Sequence, residues 1–144
     1  MKRLGQLLLA VAVVGFVTGG ASAQERKLIP PIRGEATLDM TKPATKLSGA
    51  EVVTVIIVRN PATTGAIAGL KVEENWYDKA GNPVAGDLYR HPKPLRAGEV
   101  VTITLRTPRS PAMNSNKYQF SHTNGTIKAN VVPKIEVPPT TAAK

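Results

Sequence analysis

No cysteine occurs anywhere in the 144 residues. That excludes disulfides, thiolate nucleophiles, thiolate metal sites and thiol redox chemistry. Histidine occurs only twice, at His91 and His122. A zinc-type site needs three or four ligands, so the chain is poor in the residues that would build one. Aromatic residues make up 4% of the chain, with a single tryptophan. Acidic residues are scarce beside basic ones, 10 Asp+Glu against 19 Lys+Arg, for a net charge of +9. After the first two dozen residues nothing repeats at helical spacing, and no Gly-rich loop precedes a helix. No Ser-His-Asp order stands out. The acidic pair Glu73-Glu74 points to opposite faces of a strand and cannot act together. On this reading the chain is not an enzyme and carries no cofactor or metal.

The opening segment, MKRLGQLLLAVAVVGFVTGGASAQ, has two basic residues, an almost wholly apolar run over residues 4–17, and Ala21-Ser22-Ala23. These are the parts of a secretory signal peptide, with cleavage expected after Ala23. A spanning helix needs about 20 apolar residues, and this run is shorter and broken by Gly19 and Gly20. The expected localisation is therefore periplasmic or secreted. Removing residues 1–23 leaves 121 residues, with 17 Lys+Arg against 10 Asp+Glu, a net +7. A basic exported chain is drawn to anionic envelope lipid or wall polymer. Its charges are scattered singly, and export removes nucleic acid from reach, so no nucleic acid and at most peripheral membrane contact are expected.

Residues 24–33, QERKLIPPIR, read as an extended, loosely held segment, because Pro30-Pro31 excludes helix and central strand. From residue 34 to 132 short apolar runs alternate with Gly, Pro, Asn and Asp about every ten residues, the pattern of a β-sandwich. Strands are expected near 35–40, 51–59, 68–78, 83–89, 99–106, 117–122 and 125–132, with 41–49 a loop. EVVTVIIVR (Glu51–Arg59) is β-branched on both faces, which suits a central strand. Inward positions are expected at Leu70, Val72 and Trp76, at Val101, Ile103 and Leu105, at Tyr118 and Phe120, and at Ile127, Ala129 and Val131. Asn124-Gly125 is a two-residue hairpin signal. It also accounts for the lone Asn-x-Thr sequence. Residues 133–144, PKIEVPPTTAAK, form a Pro/Thr/Ala tail too poor in apolar surface to order itself. The fold class is a single immunoglobulin- or fibronectin-III-like antiparallel β-sandwich of about seven strands.

The stretch ENWYDKAGNPVAGD (Glu74–Asp87) concentrates unusual residues, and each has a structural use. Asp78 opens a turn by accepting backbone N–H groups, Gly81 supplies the positive φ of the return, and Pro83 starts the next strand. Trp76, in phase with Leu70 and Val72, is expected in the core. The block from Val52 to Arg106 resembles the bacterial FxLYD-type domain. Asn60 stands at that family's Asn, Trp76-Tyr77-Asp78 with Gly81 at LYD..G, and Leu95-Arg96-Ala97-Gly98-Glu99 at L.PGE, with Ala97 in place of Pro. Glu74 falls where the name-giving Phe stands. Either its head reaches solvent at the sheet rim, or the register differs from the family's. The resemblance implies an exported immunoglobulin-like sandwich and a cell-envelope location. It covers about 55 residues and is nearly silent on function.

Strand connectivity gathers the loops 60–67, 90–98 and 123–125 at one end. Arg59, Arg90, His91, Lys93, Arg96 and His122 would share that end as an anion- or partner-binding rim. The other end would carry Lys79 and an eleven-residue loop, Thr107–Lys117, as a recognition loop with Arg109 and Met113. The functional expectation is a non-catalytic cell-envelope binding or adaptor domain whose partner is an envelope protein. The alternative is a basic peripheral protein held electrostatically on anionic envelope lipid or wall polymer.

Overall fold

The computed structural model describes residues 29–138, and the expected signal peptide lies outside the described residues. Among these residues all regular structure is β. The strands are β1 (Ala36–Thr41), β2 (Ala44–Ser48), β3 (Glu51–Arg59), β4 (Lys71–Tyr77), β5 (Pro83–Arg90), β6 (Val100–Pro108), β7 (Ser115–His122) and β8 (Gly125–Val132). That is eight strands rather than about seven. The extra one is β2, inside the expected loop 41–49. All five of its residues are exposed, so it carries no apolar alternation to read. It is a strand because its backbone ladders onto β3, from Ala44↔Val55 to Ser48↔Glu51.

All eight strands belong to one hydrogen-bonded sheet in the order β2-β3-β1-β8-β7-β4-β5, with β6 on the other edge of β3. β1 links the two halves. It pairs antiparallel with the end of β3 (Asp39↔Arg59) and, over its whole length, parallel with β8 (Ala36↔Ile127 to Thr41↔Val132). The sheet curls until its outer strands meet, where the Arg106 N–H on β6 donates to Asp87 Oδ2 on β5 at 2.7 Å. Inside the curl lies one apolar cluster that includes Leu38, Ile56, Val58, Leu70, Val72, Leu95, Ile103 and Leu105, all fully buried. Each such side chain contributes roughly 1.5–3 kcal/mol relative to exposure, so aliphatic packing alone can hold a chain without disulfides.

The expected inward faces hold for β6, where Ile103 and Leu105 are buried, and for Tyr118 and Phe120, which pack on the core. Val131 keeps the phase of Ile127 and Ala129 but lies at the strand's end, 65% exposed, contrary to expectation. The segment expected to be loose is tied down at Pro30–Ile32. The Ile32 N–H donates to Ala66 O at 2.8 Å and the Ala66 N–H to Pro30 O at 3.0 Å. Ile135, in the expected tail, is buried. The last hairpin turns one residue earlier than the Asn-Gly signal indicates, since β7 ends at His122 and β8 begins at Gly125. Gly125 is needed there for close approach, because a Cβ would overlap the Gly34 carbonyl.

Candidate functional site

The rim end is organised by Asn60, the residue that ends β3. It is fully buried, and its polar groups are all bonded. Nδ2 donates to Gly65 O (3.2 Å) and Leu95 O (3.0 Å), and Oδ1 accepts from the Ala62 N–H (3.1 Å). Its N–H donates to Glu99 O and its carbonyl accepts from the Gly98 N–H. The Arg96–Glu99 turn that receives these bonds closes on itself through the Glu99 N–H to Arg96 O (3.0 Å) and the Arg96 N–H to Glu99 Oε2 (2.7 Å). Asn60 therefore fastens the 60–67 loop to the 91–99 loop. The Thr123 N–H to Ala68 O bond brings in the last hairpin. The three loops share one end, as connectivity requires.

The six rim residues do not form one site. Arg59 is taken up by Asp39, its cross-strand partner, at 2.7 Å. His122 is buried. Its Nε2 donates to the Gly34 carbonyl at 2.7 Å and its Nδ1 faces the Asn124 N–H at 3.4 Å. The ring is a brace between β7 and the segment before β1. Arg59 is thereby committed to Asp39, whereas His122, though braced, still lines one hollow with Arg90. His91 Nδ1 is bonded to the Tyr89 hydroxyl at 2.8 Å. Arg90 lines a shallow hollow of about 200 Å³ with Lys71, Ser121, His122 and Thr123. Lys93 and Arg96 are exposed. Among the described residues no carboxylate pairs with Arg90, Lys93 or Arg96, and no three His, Asp or Glu side chains are grouped to hold a metal.

At the opposite end β6 and β7 run further than expected, so the loop is Arg109–Asn114, shorter than Thr107–Lys117. It is pinned at both ends, by the Arg109 N–H to Ala50 O and the Asn114 N–H to Tyr77 O, each 2.8 Å. A turn within it is closed by the Met113 N–H to Ser110 O bond at 3.2 Å. The β4–β5 turn lies alongside. There the Asn82 N–H donates to Asp78 Oδ1 at 2.8 Å and Gly81 takes a φ of 85°, as the sequence indicates. Donation from the Asn82 backbone holds the Asp78 carboxyl below its usual 3.8. A hollow of about 400 Å³ separates this turn from the loop, lined by Asp78, Lys79, Ala80 and Pro111–Asn114.

On the loop's other side a groove of about 350 Å³ runs between β2 and the end of β4. Trp76, Leu47, Val52 and Met113 supply its apolar wall, and Arg109, Lys46 and Thr45 its polar one. Trp76 is half-buried and lies outside the core cluster, which corrects its expected place in the core. At the strand's end it meets the loop instead of the aliphatic cluster. Its indole Nε1 is sealed from solvent and has no hydrogen-bond acceptor among the described residues. Sequence reasoning placed Arg109 and Met113 on a recognition loop but missed Trp76 and β2 as their companions.

Glu74 sits behind this groove. It is fully buried, so its head does not reach solvent at the rim, contrary to one of the two expectations for it. Instead it accepts four side-chain hydrogen bonds. Thr54 Oγ1 (2.9 Å), Tyr118 OH (3.1 Å) and Asn116 Nδ2 (3.3 Å) reach Oε1, and Thr107 Oγ1 (3.3 Å) reaches Oε2. Thr54 gives its one hydrogen to Glu74, so Thr45, 3.0 Å away, donates to Thr54. Asn116 uses its second hydrogen on the Tyr118 oxygen at 2.9 Å. Burial, with smaller contributions including the neighbouring Glu74 charge, pushes the Tyr118 phenol above its usual 10.0. Tyr89 is pushed up by burial as well.

No protein-family model and no curated protein matches the sequence. Among solved structures the chain is similar to IrmA from Escherichia coli, at 9% identity and a TM-score of 0.45, over 72% of this chain and 98% of that one.

Proposed function

We propose that the chain is an exported, non-catalytic binding or adaptor module of the cell envelope, built as an immunoglobulin-like sandwich of the FxLYD type. One observation carries this reading. The pinned loop Arg109–Asn114 presents Met113 and Arg109 beside Trp76 and the exposed strand β2, around a groove of about 350 Å³. Rigid loops on a β scaffold and open strand edges are common means of protein recognition. The signal-like N-terminus supports an envelope location. The test is capture of partners from native envelope extract by the mature chain, washed at low and high salt, in parallel with Met113→Lys. A defined protein retained at high salt and lost with Met113→Lys is the expected result. No retained protein, or one indifferent to Met113→Lys, counts against the groove as the binding face.

A second reading is favoured by a separate observation. Arg90, Lys93 and Arg96 lie near one another in sequence, are exposed, and have no carboxylate partner among the described residues. They suit peripheral retention on anionic lipid or wall polymer. Such retention collapses as ionic strength rises, because exposed charges are screened within about 8–10 Å at physiological salt. Adsorption to anionic vesicles that disappears at high salt and in the triple Arg90→Glu, Lys93→Glu, Arg96→Glu variant would favour this reading over the first.

A further inference from the structure

The groove has features that go beyond a generic protein surface. Thr45, Lys46 and Leu47 all line it, although successive side chains of a strand point to opposite faces. The groove therefore reaches both faces of β2 at its edge and takes in Val52, the partner of Leu47 on β3. β2 ladders only to β3, so its other edge offers unpaired backbone groups. Open edges of this kind accept an added strand. The charges at the groove are both positive, Lys46 and Arg109, and no carboxylate pairs with either among the described residues. Leu47 is 61% exposed, and with Met113 and the Trp76 ring it forms an apolar seat.

The Trp76 N–H is the second, independent pointer. A buried donor left without an acceptor has lost its bond to water and gained none in return. A native structure keeps such a group where something else offsets it. An acceptor brought in by a partner removes that cost. The N–H is sealed in the free chain, so part of the wall must swing aside first. Met113, a flexible unbranched side chain of the same wall, is able to do so.

We infer that this groove takes an extended, acidic and apolar peptide segment, added as a strand along the free edge of β2. An apolar side chain of the segment packs against Trp76, Met113 and Leu47. A carboxylate of the segment meets Arg109 and Lys46, and a peptide oxygen accepts from Trp76 Nε1. The inference rests on the binding-module reading and names the chemistry of its partner.

Trp76 is the single tryptophan, so its fluorescence and its one indole N–H resonance report groove occupancy directly. The probe is the capped peptide GSEVTVELG, with GSKVTVKLG as its charge-reversed control. The acidic peptide shifts the indole resonance saturably, and the control binds roughly threefold to tenfold more weakly, the scale for reversing exposed charges. Arg109→Glu weakens the acidic peptide by a similar factor. Trp76→Phe keeps a ring but removes the N–H. It weakens binding roughly threefold to tenfold, measured with labelled peptide, while leaving thermal stability unchanged or raised, because the free chain has no bond there to lose. A purely structural role for Trp76 would lower stability and leave affinity alone. Binding that leaves the indole unmoved overturns the inference. So does equal affinity for both peptides, or an indole shift that depends on protein concentration without peptide, which would mean self-association. If envelope extract yields a salt-resistant partner that Arg109→Glu and Trp76→Phe still bind, the groove is wrong and the module reading stands. If the peptide binds as stated and no envelope partner is found, the module reading fails and the groove stands.

Discussion

Thr54 Oγ1 donates to Glu74 Oε1 across 2.9 Å, joining the middle of β3 to the middle of β4 inside the curl of the sheet. Both residues are fully buried. The bond is one of four that close around a single carboxylate, and it fixes the direction of its neighbours. Thr45 must donate to Thr54, and Asn116 must donate to Tyr118. Four donors around one acceptor group form a satisfied network with no cation in it.

Replacing the acceptor leaves those donors without a partner. Glu74→Gln puts an NH₂ group among hydroxyl and amide donors, so at least one buried group is orphaned at about 1–3 kcal/mol. Glu74→Phe orphans all four and costs more. Adding Thr54→Val and Thr107→Val to Glu74→Phe recovers much of the loss, because removing both sides of a buried polar contact is nearly neutral. Urea unfolding of the single, double and triple variants checks this. Strictly additive losses would show that the network is not a unit.

Asn60 bonds with every polar group it has, so Asn60→Ala orphans the Ala62 N–H and the Gly65 carbonyl, while the Leu95 carbonyl keeps the Ile67 N–H. A loss of about 1–3 kcal/mol for each group left buried and unpaired is expected. Asn60→Asp fails nearly as badly, since a carboxylate cannot donate to two carbonyls. Thermal melts of both variants, compared with an exposed control such as Thr63→Ala, give the measurement.

The β4–β5 turn depends on acid. The Asp78 carboxyl is held below 3.8, first by the Asn82 backbone N–H. A group with a depressed folded value stabilises above the unfolded value, and that contribution is lost as pH falls through the folded value. Protection of the Asn82 amide from hydrogen exchange therefore drops in strong acid. At neutral pH it drops with Asp78→Ala, while β6 amides keep theirs.

Alkali acts on the other side. The Tyr118 and Tyr89 phenols are both raised above 10.0, so the unfolded chain releases its phenolic protons first. Stability is full below the unfolded value and falls as pH climbs through 10.0 toward the folded values. The melting temperature should decline over that window, and Tyr118→Phe should make the decline shallower while lowering stability at neutral pH through the lost bond to Glu74. Phenolate absorbance of the folded chain should rise late relative to the unfolded chain.

The sequence by itself determined the all-β character, the places of seven of the eight strands, the Asp78–Gly81 turn and the exclusion of thiol chemistry. These follow from local rules, because period-two alternation records which side chains meet the core and turn residues record where the backbone must reverse. Tertiary structure alone decided the rest. β2 has no buried face, so only its ladder to β3 makes it a strand. Glu74 is buried because its donors arrive from β3, β6 and β7. His122 is buried as a brace because the Gly34 carbonyl, 88 residues away, takes its Nε2 hydrogen. Trp76 leaves the core because a loop more than thirty residues downstream, Arg109–Asn114, comes to lie beside it at the groove. A polar side chain is placed by the partner that satisfies it, and in a sheet joined by long-range pairing that partner is rarely a sequence neighbour.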